Sequence, residues 1–494
     1  MISETSERGA LPEVFEFFRA YFFRILAVSV AILVPCFWHR EIVASDLGSH
    51  VYNAWLAHLI RQGRLPGLWI ARQYTNVLFD YLLSGFGKVF GLHAGEKIAA
   101  SLAVLTFFWG SFALVAAAAR RAPWFLAPCI ALFTYGWTFH VGFFNYYLSL
   151  GFASFAVAIL WRGSRMEWLA AVPLAALCLL GHPLGLAWLA AGGTYVMLAE
   201  RVPHRGHQLI LFSVAAAVLF GIHKYLGERY DVYPSTKPAL AFSGLDQLLL
   251  FGPHYHVVQY GLLAFAAVAM TADVLRAVGG GPAWTGYAIP FQLYVLAQLG
   301  VYLFPGGIHF PAPTAALALV TERLTSISAV LICCILGVVR PRRWHLAVTL
   351  AIAAAFFGLL YRDSAAVNRM EEQVVHLVSQ LAPNQRVMGT IIKPAESRVM
   401  IQHILDRACI ERCWSYGNYE PSTGLFRVRA EPGNPYVLSS YDDAVDMEIG
   451  EYSVQAEDLP VYQVYQCDAS GAKLCIRPLE AGEENGRLGV HPDE

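Results

Sequence analysis

The residues most capable of chemistry follow the first long apolar run, in the segment SDLGSHVYNA that begins at Ser45. Asp46 and His50 are spaced so that a helix would place both side chains on one face. A carboxylate in this place can act as a general base, and the histidine could orient it or bind a divalent metal with it. The simpler alternative is that Asp46 caps the helix and that His50 is an ordinary surface residue.

Four further polar residues lie at the predicted ends of apolar segments: His182, Lys224, Glu322 and Arg323. We take all four as candidate substrate-binding residues, because a guanidinium can bind two phosphate oxygens at once and Lys224 could add a second phosphate contact. His182 lies in a Gly-His-Pro turn at membrane depth, where an imidazole needs a polar partner or a wet cavity. The alternatives are a turn histidine bonded to backbone carbonyls, an ion pair between Glu322 and Arg323, and a lysine at the lipid headgroups.

The chain that carries these residues has the composition of a polytopic membrane protein. Of its 494 residues, 56% are hydrophobic and 14% are charged, against about 25% charged in soluble domains. A helix needs about 20 apolar residues to cross the bilayer. We expect an all-α membrane domain of about eleven spans, near residues 21–38, 97–119, 122–140, 143–161, 166–182, 184–200, 208–225, 256–276, 284–304, 315–339 and 344–361. The net charge of −1 gives no basic surplus for nucleic-acid binding.

The distribution of arginine predicts the orientation of these spans, because cytoplasmic loops are enriched in Lys and Arg. The connections near residues 141, 183 and 305–314 contain neither. The loops predicted to be cytoplasmic contain Arg19, Arg24, Arg120, Arg121, Arg162, Arg165, Arg201, Arg205, Arg276, Arg340, Arg342 and Arg343. We therefore expect a cytoplasmic N-terminus in the bacterial inner (plasma) membrane, with residues 39–96 and 362–494 on the extracytoplasmic side.

The composition changes at residue 362, which predicts a membrane domain over 1–361 and a second domain over 362–494. The segment LPVYQVYQCDASGAKLCIRPL has the alternation of a β-hairpin around a turn. An amphipathic helix and a strand precede it, so we expect a small soluble α/β domain outside the membrane.

Four cysteines in this second domain predict disulfides, because an even set in an oxidising compartment is typical of paired thiols. Cys467 and Cys475 flank the predicted hairpin turn, which favours their pairing. Cys409 and Cys413 would then form the other bridge, and a helix there would have to unwind locally. Free thiols and a four-cysteine zinc site are the alternatives.

The first outer loop, 39–96, predicts two amphipathic helices in the membrane interface, near 47–62 and 76–92. Asp46 after the first span, an interfacial helix, the residues GRLP and a second such helix resemble the first outer loop of the GT-C superfamily of membrane glycosyltransferases. The span count and the outer C-terminal domain resemble its protein mannosyltransferase and aminoarabinose transferase branch. Several of those families carry an acidic pair in this loop, whereas Asp46 is flanked by Ser45 and Leu47.

This resemblance implies an enzyme that moves a sugar from a polyprenyl-phosphate carrier to an acceptor at the extracytoplasmic face, with Asp46 as the base. Its partners would be the lipid-linked donor, membrane lipid and an acceptor that the sequence does not identify. The alternative is a non-catalytic polytopic membrane protein, namely a transporter, a lipid scramblase or an assembly factor with an outer sensor domain. The absence of internal repeats argues against a transporter.

Overall fold

The computed structural model describes eight stretches of the chain, and the ends of the two predicted domains, 1–9 and 487–494, lie outside them. The described stretches are 10–164, 166–202, 204–235, 243–278, 286–310, 315–401, 403–468 and 471–486. The helices in them are α1 (Ala10–Phe37), α2 (Ser45–Arg61), α3 (Leu78–Phe90), α4 (Leu92–Ala119), α5 (Ala127–Thr134), α6 (Trp137–Val141), α7 (Phe144–Arg162), α8 (Ala171–Gly181), α9 (Pro183–Arg201), α10 (Arg205–Arg229), α11 (His256–Val278), α12 (Ala288–Leu303), α13 (Val320–Val338), α14 (Arg343–Val378), α15 (Ile404–Cys409), α16 (Glu420–Thr423) and α17 (Tyr441–Ile449). The strands are β1 (Leu68–Ile70), β2 (Asp231–Tyr233), β3 (Gly307–Phe310), β4 (Ala315–Leu317), β5 (Gln385–Thr390), β6 (Cys413–Ser415), β7 (Val428–Ala430), β8 (Val461–Gln466) and β9 (Leu474–Pro478).

Seven of the described helices are long and apolar enough to cross a membrane, as expected of a multi-pass membrane protein: α1, α4, α7, α10, α11, α13 and α14. Helices α8 and α12 are apolar but shorter. The predicted span 122–140 is divided, because α5 ends at Thr134 and α6 begins only at Trp137. The count of eleven spans therefore stays a prediction.

The centre of the helical part is the contact between α4 and α7. A Cβ atom on Gly110 would lie 2.2 Å from the carbonyl oxygen of Gly151, so only glycine allows the two backbones to come this close. Next to this crossing the rings of Phe107 and Tyr147 stack with their centroids 4.4 Å apart. Small residues at such crossings are typical of helix packing in membranes.

Helix α10 shows where a bilayer would cover the protein. All of its 25 residues are described, and none of their side chains is buried. Large apolar side chains such as Leu209, Val214 and Val218 are more than half exposed. A helix that is apolar on every side is stable only where something apolar surrounds it, and lipid would provide that surrounding.

The C-terminal part contains a four-stranded sheet in the order β6-β5-β8-β9. Strand β5 runs parallel to both β6 and β8, while β8 and β9 form an antiparallel hairpin. The predicted boundary at 361/362 falls inside α14, whose 36 residues form one continuous helix. The expected amphipathic helix of the tail is thus the second half of α14, and the two parts of the chain share an element.

The first outer loop is joined to the C-terminal part along its length. Strand β1 pairs antiparallel with β7, with Trp69 opposite Arg429. Helix α2 has 17 residues, of which 13 are buried. Some of its apolar side chains, such as Trp55, share a hydrophobic cluster with the C-terminal part, and others, such as Val51, share one with the long apolar helices. The segment 47–62 was expected to lie in the membrane interface with its apolar face toward lipid. This expectation is wrong, because protein covers the apolar face of α2. Helix α3 keeps an exposed apolar face, with Val89 70% and Phe90 59% exposed.

Both predicted disulfides are present. Cys467 and Cys475 join the facing strand ends of the β8–β9 hairpin, with Cα atoms 5.8 Å apart. Cys409 and Cys413 are bridged with Cα atoms 4.6 Å apart. Helix α15 ends at Cys409 and β6 begins at Cys413, so the expected local unwinding is confirmed.

Candidate functional site

Asp46 lies in the first turn of α2, with 19% of its side chain exposed. The N-cap position is Ala44, and no side chain caps the helix. The capping role considered for Asp46 is therefore not seen, and its carboxylate is available for other contacts.

The carboxylate of Asp46 lies among charged groups from several parts of the chain. Burial raises its pKa, while the positive charges of His403, His50 and Arg323 act in the opposite direction. The nearest of these is His403, whose Nε2 lies 3.9 Å from Asp46 Oδ1. A carboxylate whose pKa is raised toward neutral pH is better suited to accept a proton than an ordinary solvated one.

His50 is close to Asp46 but makes its hydrogen bond to another acid. Its Nδ1 lies 3.0 Å from Asp80 Oδ1 on α3 and 3.8 Å from Glu420 Oε1. Burial alone would lower the pKa of His50, but these carboxylates raise it to about 9. His50 is thus a buried imidazolium at neutral pH. It contributes charge to Asp46 rather than a hydrogen bond.

Asp80 and Glu420 are themselves fixed by neighbouring polar groups. The second oxygen of Asp80 accepts a hydrogen bond from Asn145 Nδ2 at 3.0 Å. Glu420 Oε1 accepts one from Ser49 Oγ at 3.0 Å. Burial raises the pKa of Glu420 to about 7, against the lowering effect of His50. The site therefore contains acids that differ in ionisation at neutral pH.

His182 and Arg323 meet beside this cluster. His182 precedes α9, and its Nδ1 accepts a hydrogen bond from the Leu184 N–H at 3.2 Å. Because Nδ1 accepts this hydrogen bond, the ring carries its proton on Nε2. That Nε2 lies 3.5 Å from Arg323 Nη1. Two N–H donors therefore face each other.

Arg323 is held by a ring and retains a free donor. Its guanidinium carbon lies 4.1 Å from the centroid of Phe143. Its Nε is buried and has no hydrogen-bond partner among the described residues. The guanidinium is also close enough to Asp46 for the two charges to interact. An anion with several oxygens would satisfy donors that the protein leaves without acceptors.

The other two candidates from the sequence have different surroundings. Glu322 is buried, and its Oε2 accepts a hydrogen bond from Thr321 Oγ1 at 2.8 Å. No ion pair joins it to Arg323 within the described stretches. Lys224 is exposed on α10 with its ammonium above Phe220, and no described contact links it to the cluster around Asp46.

Several members of the cluster were not among the sequence candidates. They are Asp80 from α3 and His403, Asp406, Tyr419 and Glu420 from the C-terminal part. Asp80 had one sequence signal, since it is a single acid in the apolar segment NVLFDYLL. Nothing in the local sequence around His403 indicates that its side chain reaches α2.

A second charged cluster lies at the junction of the two parts. Arg407 binds Glu371 on α14 through two bonds of 2.9 and 3.0 Å, and Glu96 at the start of α4 through one of 3.0 Å. Glu41 Oε2 lies 3.8 Å from the same guanidinium. The cluster therefore joins three separate segments through one buried cation.

A divalent metal was considered for Asp46 and His50. Within the described residues, one group of three or more possible metal-ligand side chains converges on a common point, and it comprises Glu41, His93 and Glu96. It includes neither Asp46 nor His50. Arg407 already binds Glu96 there, and a cation would have to compete with this guanidinium.

Comparisons with protein-family models, with curated proteins and with solved structures returned no match to this chain. The family resemblance therefore rests on the motif and topology of the sequence.

Proposed function

We propose that this chain is a GT-C-like membrane glycosyltransferase that moves a sugar from a polyprenyl-phosphate carrier to an acceptor at the extracytoplasmic face. The cluster around Asp46 would be its reaction centre. Membrane lipid would surround the exposed apolar helices. The protein would lie in the bacterial inner membrane with its N-terminus in the cytoplasm and its C-terminal part outside.

The observation that carries this proposal is the pair of facing donors beside a carboxylate. Among the described residues, no acceptor is recorded for His182 Nε2–H or for the Arg323 Nη1–H that it faces at 3.5 Å, and Arg323 Nε is buried without a hydrogen-bond partner. A phosphate oxygen that bridges the two nitrogens from one side would accept from both. The carrier phosphate would then lie next to Asp46, where the acceptor hydroxyl must also arrive.

The reaction assigns one task to each side of this site. Asp46 takes the proton from the acceptor hydroxyl, whose oxygen forms the new bond to the anomeric carbon. The bond from that carbon to the phosphate oxygen breaks, and the phosphate leaves with the electron pair. Arg323 and His182 stabilise the added negative charge through their N–H donors.

The proposal is tested by separating carrier binding from sugar transfer in purified protein in nanodiscs. We expect a polyprenyl phosphate to bind more tightly than the matching polyprenol, and Arg323→Gln to remove this difference. Asp46→Asn should retain carrier binding but lose transfer by a factor of about 10²–10⁴, the usual contribution of a general base.

Matched controls exist for both substitutions. Asp231 has 85% of its side chain exposed, so Asp231→Asn should behave as the unmodified protein. Arg412 is exposed on the C-terminal part, so Arg412→Gln controls for loss of a positive charge. Equal binding of polyprenol and polyprenyl phosphate, or full transfer by Asp46→Asn, would reject the proposal and favour a non-catalytic membrane protein.

A further inference from the structure

We infer that His403, with Asp406 behind it, is a positioning residue for Asp46, so that the C-terminal part completes a reaction centre whose proposed base, Asp46, lies on the first outer loop. The inference rests on the proposed function for the reaction that Asp46 serves. The arrangement itself is independent of that reaction.

A chain of contacts fixes the direction of the His403 ring. Nδ1 donates to Asp406 Oδ2 at 3.0 Å, and Nε2 faces Asp46 Oδ1 at 3.9 Å. The other oxygen of Asp406 accepts a hydrogen bond from Ser415 Oγ. Both His403 and Asp406 side chains are 5% exposed. Asp406 therefore fixes Nδ1 of the ring, and Nε2 is directed at Asp46.

The backbone also sets the distance between His403 and α2. A Cβ atom on Gly48 would lie 2.2 Å from the carbonyl oxygen of His403. Real Cβ atoms do not come this close to a backbone oxygen, so a side chain at position 48 would push the two segments apart. Gly48 follows Asp46 within the same helical turn, and displacement there would lengthen the contact between Asp46 and His403.

The charges around Asp46 indicate what its contact with His403 does. Asp46 faces positive groups from three elements, namely His50 on α2, Arg323 on α13 and His403 before α15, and the negative Asp406 on α15. The charge of Asp46 also raises the pKa of the neighbouring Tyr419 and Glu420. Among the groups that favour an ionised Asp46, His403 has the largest effect.

His403 is suited to provide a permanent positive charge. Burial would lower its pKa, but Asp406, Glu448 and Asp46 raise it to about 10. The imidazolium is thus retained across the neutral range. Because Asp46 is partly shielded from water, loss of this charge should leave its carboxyl group protonated at pH values where the unmodified protein has a carboxylate.

The first experiment measures the protonation of Asp46 without any substrate. Infrared spectra of the full-length protein are recorded as a function of pH, and the carboxylic-acid band that disappears in Asp46→Asn is assigned to Asp46. In His403→Gln this band should persist to a pH about one unit higher or more. His58 is exposed on the same helix, so His58→Gln should leave the band unchanged.

The second experiment measures transfer as a function of pH. The acidic limb of the kcat profile should move to higher pH by a similar amount in His403→Gln, with little change in KM for the carrier. Gly48→Ala should move it in the same direction, whereas Gly85→Ala, which meets nothing within 4 Å, should not.

The outcomes separate the two proposals. If the Asp46 band moves but no polyprenyl-phosphate sugar is used, the positioning role stands and the proposed function fails. If transfer occurs and both the band and the pH profile of His403→Gln match those of the unmodified protein, the positioning role is overturned. Should His403→Gln fail to fold, Gly48→Ala carries the same test.

Discussion

Replacing Arg407 by glutamine should lower the free energy of unfolding more than the same loss of a positive charge at the protein surface. The guanidinium side chain is 10% exposed and reaches carboxylates on three segments, namely Glu371, Glu96 and Glu41. These carboxylates raise the pKa of Arg407 above its ordinary value despite its burial. Arg407 is therefore positively charged at every pH that the protein can tolerate.

The magnitude follows from what remains after the substitution. Removing one partner of a buried ion pair usually costs about 3–5 kcal/mol, because the other charge stays buried without compensation. Arg407→Gln leaves these carboxyl groups without their cation, but burial already raises the pKa of Glu371 to about 7. Proton uptake would therefore relieve part of the uncompensated charge, so we expect the lower half of that range. The loss should be smaller at acidic pH, because protonation removes the uncompensated charges.

The assay is equilibrium unfolding of detergent-purified protein, followed by proteolysis of the C-terminal part at each denaturant concentration. Arg412→Gln, on the exposed surface of the same region, should lie within about 0.5 kcal/mol of the unmodified protein. The double variant Arg407→Gln with Glu371→Gln should be less destabilised than the two single variants added together. An Arg407→Gln variant as stable as Arg412→Gln would refute the assigned role of this cluster.

Two further predictions concern pH and redox conditions. The contact of His50 with its acids raises the folded pKa to about 9, above about 6.5 in the unfolded chain. The melting-temperature difference between the unmodified protein and His50→Gln should therefore be full below pH 6.5 and disappear as pH rises through 9. Cys467 and Cys475 are half-buried, while Cys409 and Cys413 are 0% and 2% exposed. Mild reductant should open the Cys467–Cys475 disulfide before the Cys409–Cys413 disulfide, as measured by alkylation and mass spectrometry. The reverse order would contradict this argument from burial.

Features encoded by neighbouring residues were predictable from the sequence. Cys467 and Cys475 flank a turn whose alternation indicates a hairpin, and chain geometry alone brings them together. The bridge between Cys409 and Cys413 was likewise a local signal, because it requires the helix to end there. Polar residues at the ends of apolar segments, such as His182 and Arg323, could be named as candidates from the sequence, and the structure places these two in contact.

The partner of an apolar helix face was not predictable in the same way. The apolar stripe of α2 indicates that this face is buried, but hydrophobic burial has no direction. The same apolar pattern is therefore expected whether membrane or protein covers this face, and the covering surface proved to be the C-terminal part together with the long apolar helices. The division of 122–140 was missed because no Asp, Glu, Lys or Arg interrupts the segment, although the helix stops at Tyr135 and Gly136.

The site residues that were missed all depend on distant contacts. His403 is separated from Asp46 by most of the chain, and nothing in a single sequence indicates that two such distant residues are in contact. Asp80 was hidden for another reason, since its role follows from the imidazolium of His50 rather than from its own spacing. Predicting either residue would have required the packing of α2 against α3 and α15.

The long reach of the α2 contacts has a consequence for biosynthesis. Ser49 binds Asn418 and Glu420, which follow it by 369 and 371 residues. At a translation rate of about 5–20 residues per second, roughly 20–70 s pass before the ribosome has made these partners. During this interval the buried polar groups of α2 depend on water or on a chaperone. A nascent chain released early would insert its helices but leave the first outer loop unfinished, and quality-control proteases would meet it in that state.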